Sequence, residues 1–294
     1  SSLPGKLLSD ADFRDPNLFR YAVRGEPRSG QTDARVKECI KDVYDCPYVP
    51  GSSIKGAIRT VLAKRAISER KIELYERIRN NKKKADDRIE QEIFGKGSSG
   101  NPDNFPRDDI FRAVQVSDAM MDPGNRKPGA GMEILNVTPI SRHSAAVRAS
   151  VPIELEAVRK GQTFSGTITL DDFLLNGAFR DRRVFFDGWI DKLHDSGYER
   201  LDWLIEEWFK DVDGCESVHK DLCRMRKLKE HASLRETKHA LIQIGGGTGW
   251  DGMTYGQLLQ AEDEFEFEDR LKSLNILKAT RAGFPRRDVG EIFP

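Results

Sequence analysis

The spacing of apolar positions changes along the chain. Ile54, Ile58, Val61 and Leu62 recur at helical spacing. This pattern predicts one long helix or two over 52–93, broken where Asn80-Asn81 meets Lys82-Lys83-Lys84. A shorter helix is expected over 33–42, with Ala34, Ile40 and Val43 as neighbouring apolar positions. Gly95 to Pro106 (GKGSSGNPDNFP) reads as a loop. The period then drops to two. Strands are expected at 111–118, 132–138, 151–158 and 163–170, the last rich in Thr and Ile. Helical spacing returns over 189–212 with Trp189, Leu193, Leu201, Ile205 and Trp208, aromatics expected in the core. A short buried strand is expected at Ala240–Ile244.

Two places stand out against this pattern. At Tyr48–Arg59 (YVPGSSIKGAIR) a Pro50-Gly51 turn leads into a helix start. A serine there is a favoured N-cap. Ser52, Ser53, Lys55 and Arg59 bring hydroxyls and cations to the exposed N–H groups of a first turn, a setting that suits phosphate. A plain capped helix with solvated cations reads equally well on spacing alone. The segment is not a Walker loop, since the second glycine and the hydroxyl after the lysine are missing. At Gly245–Gly249 (GGGTG), glycines directly follow the expected strand, where backbone N–H groups can form an anion nest. Their spacing is not that of a dinucleotide fingerprint.

Composition narrows the field. In 294 residues, 48 basic and 48 acidic side chains cancel, so any nucleic-acid surface must be local. Residues 52–88 hold such an excess, with 12 Lys or Arg against five acids, although a run of this kind is more often a solvated face. No apolar run approaches the roughly 20 residues of a membrane span. Four cysteines (Cys39, Cys46, Cys215, Cys223) suit a reducing cytoplasm. Cys215, His219 and Cys223 share a helical face but lack a fourth ligand, so no metal is expected. The acidic run Glu262–Asp269 reads as a solvated edge or a protein contact, and Arg281, Arg286 and Arg287 as a small basic cluster.

Taken together, YVPGSSIKGAIRT at 48–60, VQVSDA at 114–119, the strand pair around VPIELEAVRKGQTFSGTITLDD, and IQIGGGTGWDGMT at 242–254 resemble the RAMP superfamily of CRISPR proteins. Within it they are similar, in order and spacing, to the fifth Csm subunit of type III-A effector complexes. The likeness spans roughly residues 30–260; the strand and H-x-G-like turn that open family members have no counterpart in 1–30.

The resemblance implies an α+β fold: a ferredoxin-like, RRM-type βαββαβ core of the backbone-type RAMP proteins. It forms a single domain over 1–294 with helical insertions, one of them at 189–239. It implies an RNA-binding subunit that caps the 3′ end of the CRISPR RNA and supports its maturation in antiviral defence. Implied partners are CRISPR RNA, other Csm subunits and host nucleases, with no cofactor. A guide must keep its bases available for pairing, so the expected contacts are to phosphate and ribose. These fall to Ser52, Ser53, Lys55 and Arg59, and to Gly245, Gly246, Gly247, Thr248 and Gly249, across one groove. The alternative is a RAMP-type endoribonuclease, which needs an acid–base pair. Of His143, His194, His219, His231 and His239, only His143, in Ser141–Ser144, has a suggestive setting. A third reading is a protein scaffold that touches little RNA.

Overall fold

The computed structural model describes residues 9, 11–28, 35–80, 85–96, 105–137, 140–143, 146–149, 153–209, 214–228, 239–245, 248 and 252–262. Helix α1 (Gly51–Arg70) is the central element. Ile58, Leu62, Ala63, Ala66 and Ile67 form its buried stripe, and the chain is helical there because these positions repeat at three and four residues. They pack on Ile89, Ile93 and Phe94 of α3 (Ala85–Phe94) and on Ile110, Phe111, Ala113 and Val114. Each Ile, Leu, Val or Phe among them contributes about 1.5–3 kcal/mol by leaving water. Phe94 meets Phe111 edge-on at 5.0 Å and Phe185 at 5.6 Å, which closes the core.

The expected break in this helical stretch lies partly outside the described residues. A break inside them comes earlier. Helix α1 stops at Lys71, which takes the left-handed conformation (φ 53°) while Ile72 N–H donates back to Ile67 O at 3.0 Å. Helix α2 (Leu74–Asn80) follows. Its N-terminus is capped by the Glu262 carboxylate, which accepts from Leu74 N–H and, at 3.0 Å, from Tyr75 N–H. Glu262 is therefore a structural cap; the rest of the acidic run and the basic cluster lie outside the described residues.

Among the described residues the strand ladders are antiparallel, and the single bridges Arg24–Glu133 and Lys37–Leu155 are parallel. Strand β1 (Tyr48–Val49) pairs with β3 (Ala119–Met121), and β3 pairs with β8 (Phe164–Ser165). Strand β2 (Val114–Val116) pairs with β9 (Ile168–Leu170). These ladders belong to one kinked ribbon. Val116 faces Ile168 and Met120 faces Ser165, so residues 117–119 oppose only 166–167. That extra residue is a β-bulge. Strand β4 (Met132–Val137) pairs with β7 (Ile153–Val158), and β5 (Ile140–His143) with β6 (Ala146–Ala149), extending the same hairpin.

The α+β character follows directly from these elements. The described strands form a three-stranded sheet and three ribbons. Two sequence expectations fail for one physical reason. Residues 35–42, expected as helix, run extended, because Lys37 N–H donates to Glu154 O at 2.8 Å and Glu156 N–H to Lys37 O at 2.9 Å. Residues 240–244, expected as a buried strand, join no ladder, and Ile244 is 38% exposed. Contact with distant segments, or the lack of it, decides both, and a short local pattern cannot report it. Strand 111–118 also begins late, since Ile110–Ala113 is a 3-10 turn capped by Asp109. The 189–212 expectation is met over α6 (Trp189–Trp203) and a π-turn at Leu204–Trp208. Helix α4 (Phe105–Asp108) and α5 (Asp172–Asn176) are single turns, α7 is Glu216–Lys227, and α8 is Gly256–Glu262.

Candidate functional site

The head of α1 sits flush on the β-bulge. A Cβ on Gly51 would lie 2.3 Å from Val116 O and 2.7 Å from Ser117 O, so only glycine allows this approach. The N-cap is Pro50, with no side-chain cap. Ser52 and Ser53 thus stand exposed in the first turn and do not act as caps. Gly51 N–H donates at 2.7 Å to Asp118 Oδ1, so a carboxylate of the protein already meets this helix end. The sequence reading missed Asp118. Its signal was an acid at the last position of the strand expected at 111–118.

The cations of the motif point elsewhere. Lys55 is half-buried, and its ammonium donates to Val114 O at 2.7 Å. Burial pulls its pKa below the ordinary lysine range; nearby Asp109 opposes this and Arg59 adds to it. Arg59 belongs to the core wall. Its guanidinium lies 2.7 Å from Glu90 Oε2 and 2.9 Å from Asp109 Oδ2, and 3.9 Å over the Phe94 ring. Burial disfavours its charge, but the hydrogen bonds and fields of Glu90 and Asp109 outweigh that and hold it protonated. Arg59 thus ties α1 to α3 and to Asp109.

The glycine-rich segment reaches α1 by another route. Gly197, the glycine within α6, lets Leu241 cross the helix: a Cβ at Gly197 would be 2.1 Å from Leu241 O. Arg200, one turn on, donates from Nη2 to Thr248 O at 3.4 Å. Between α1, α6, α7 and this segment lies a groove of 810 Å³, lined by Ala57, Thr60, Lys64, Arg200, Gln243 and Gly252 among others, over Val61, Leu201 and Leu241. The groove meets α1 at Ala57, Thr60, Val61 and Lys64 and the later segment at Leu241, Gln243 and Gly252; Ser52, Ser53, Lys55, Arg59, Gly245 and Thr248, expected in one groove, are not among its lining residues. Gly245 is exposed at φ +99° with open space around it. Gly246, Gly247 and Gly249 lie outside the described residues. Arg200 and Thr60 were missed by sequence; the lone glycine in an otherwise helical run was the available signal of a close approach.

The histidines and cysteines form no metal-ligand group of three or more among the described residues. Cys215 is buried beside Trp208 and Phe209, and Cys223 Sγ lies 3.9 Å from His219 Nδ1. His194 Nδ1 is 3.0 Å from His239 O, with the rings 4.6 Å apart. His143 falls on β5, and His231 lies outside the described residues.

A model of the RAMP superfamily matches residues 30–250. The chain belongs to the RAMP superfamily. This RAMP protein is similar to the CRISPR system Cms protein Csm5 of Streptococcus thermophilus, 32% identical over 129 residues, which are 40% of this chain and 32% of that protein. The match therefore spans about a third of the curated relative's length. The fold is similar to that of a chain in the cryo-EM structure of a type III-A Csm–crRNA–target RNA ternary complex, with a TM-score of 0.58 and 22% identity over 89% of this chain and 72% of that one. T. onnurineus Csm5, a crystal structure, matches with a TM-score of 0.48 and 22% identity, over 80% of this chain and 70% of that one.

Proposed function

We propose that this RAMP protein is a non-catalytic, RNA-binding subunit of a cytoplasmic type III-A (Csm) interference complex. In this reading it caps the 3′ end of the CRISPR RNA, docks on other Csm subunits and supports guide maturation through recruited host nucleases. The likeness to Csm5 and to a chain of a Csm–crRNA–target complex supports the assembly. A ferredoxin-like βαββαβ core accompanies the reading, supported by the antiparallel β1-β3-β8 sheet and the α1 helix that follows β1. Among the described residues no helix is long and apolar enough to cross a membrane.

The observation that carries the reading is the head of α1, where Ser52 and Ser53 stand exposed on a helix start braced by the β-bulge. Hydroxyls on a rigid helix start suit phosphate and ribose oxygens, and Lys55 sits within the same turn. The glycine-rich segment 245–249 is assigned to the continuation of that track. Asp118 already takes the Gly51 N–H and repels a second anion there, so phosphate contact falls to the Ser52 and Ser53 hydroxyls.

The test is binding of a single-stranded repeat-derived RNA to the purified chain. Ser52→Glu with Ser53→Glu places negative charge at the track and is expected to weaken binding about tenfold at low salt, with the melting temperature unchanged. The RNA should remain intact in Mg²⁺. Unchanged affinity removes the head of α1 from the interface, and cleavage of the RNA by the pure protein overturns the non-catalytic reading.

A further inference from the structure

Residues 42–46 form a turn far more rigid than its length suggests. Asp42 Oδ1 accepts from Tyr44 N–H at 2.9 Å and from Cys46 N–H at 3.0 Å. Asp42 N–H donates to Cys46 O at 2.9 Å, and Asp45 N–H to Asp42 O at 3.1 Å. Asp45 takes a left-handed φ of 57°, and its carbonyl accepts from Gly129 N–H at 3.0 Å. Two guanidiniums brace the outside. Arg20 grips Asp45 in a bidentate pair at 2.7 and 3.0 Å, and Arg126 pairs with Asp42. Cys46 anchors the base at 2% exposure.

This brace presents two apolar side chains to solvent. Val43 is 84% exposed and Tyr44 67%. The Arg126 guanidinium stands 5.9 Å from the Tyr44 ring centre, and the Arg20 side chain is itself 76% exposed. A solvent-facing aromatic on a turn that loses little entropy on binding fits a flat partner. Cations beside an aromatic ring are the combination that takes a stacked nucleobase and its phosphate.

We infer that Tyr44 is a base-stacking platform for single-stranded RNA, with Val43 as the apolar flank and the solvent-facing side of the Arg20 guanidinium, beyond its pair with Asp45, beside the adjoining phosphate. Ser52 is eight positions after Tyr44, so their Cα atoms lie within about 28 Å, and one strand can touch both. Stacking on an aromatic ring tolerates any base, so the platform sets the path of the strand and not its sequence. The inference rests on the RNA-binding reading above and adds a contact outside the α1 groove.

The test uses the full chain, a 4-thiouridine-substituted single-stranded RNA, and the variants Tyr44→Ala and Tyr44→Phe. The wild type is expected to crosslink within residues 42–47. Tyr44→Ala should lose that crosslink and weaken affinity about fivefold or more, and Tyr44→Phe, which keeps the ring, should retain both. All three should melt together, since the Tyr44 side chain is solvent-facing. Wild-type binding with Tyr44→Ala unchanged overturns the platform and leaves the α1 track standing. Loss in Tyr44→Phe equal to that in Tyr44→Ala overturns stacking as the mode. Unaltered RNA affinity with loss of assembly into a Csm complex gives the turn to a protein neighbour and overturns the inference. A wild type that binds no RNA removes the underlying reading, and the platform with it.

Discussion

Arg59 shows how one side chain can carry two opposite readings. By sequence it is the last cation of a phosphate-binding turn. In the fold it joins α1 to Glu90 of α3 and to Asp109, residues 31 and 50 positions away. Its side chain is only 20% exposed. Arg59→Ala leaves both carboxylates without their partner and strips the face of Phe94, so a loss of about 2–4 kcal/mol is expected. Urea unfolding would show this as a lower midpoint. RNA affinity measured on the folded variant should fall less than for the Ser52→Glu, Ser53→Glu protein, and the reverse order would return Arg59 to the interface. At the other end of the helix, Lys71 holds a left-handed conformation that costs a non-glycine residue roughly 1–2 kcal/mol. Lys71→Gly should recover about 1 kcal/mol, read as a raised melting temperature.

At the scale of elements, the extended segment 35–42 and the β4–β7 hairpin hold each other through one carboxylate. Glu156 accepts from the Tyr21 hydroxyl at 2.7 Å, from Cys39 N–H at 3.0 Å and from the Lys41 ammonium at 2.5 Å. Burial pushes its pKa upward, but the bonds from Lys41, Tyr21 and Cys39 outweigh burial and hold it below the ordinary 4.5. A carboxylate with a depressed folded-state pKa stabilises fully above its unfolded value and loses that contribution as pH falls through the folded value. Lys41, pushed above its ordinary 10.5 by the same pairing against the burial penalty, contributes below that pH and fades only above it. The docking of segment 35–42 should therefore be constant between about pH 5 and 10 and weaken below pH 4.5. Hydrogen exchange at the Glu156 amide, which bonds Lys37 O, is the readout. Glu156→Gln should raise that exchange at neutral pH and flatten its acid dependence.

At the scale of the molecule, one wall of the groove rests on a close approach. Leu241, in the segment leading to Gly245, packs against α6 where Gly197 leaves it room. Gly197→Ala requires Leu241 to move away, since its carbonyl would lie 2.1 Å from the new Cβ. The expected result is faster proteolysis and exchange over 239–245 with α1 still protected. Equal protection of both would show that the two walls of the groove do not depend on this contact. With a neutral net charge, the proposed RNA binding would have to arise from local charge, and it should decline steeply with salt.

Much of this fold was legible in the chain. The α1 stripe, the β4–β7 hairpin, the β8–β9 strand region and the α6 helix follow from periods of 3.6 and two, which are local properties of the sequence. The same holds for the PGSS turn, since Pro50 and Gly51 restrict or release their own backbones. The candidate site could be named from sequence only as a set of residues. Which cations face solvent was decided in three dimensions, where Glu90 and Asp109 claim Arg59, Val114 O takes Lys55, and Asp118 meets the helix head. So was the course of residues 35–42, which trade helical bonds for those of a distant strand. Local periodicity sets where elements form; a charge or a backbone group finds its partner through contacts tens of residues apart, and only packing brings those together.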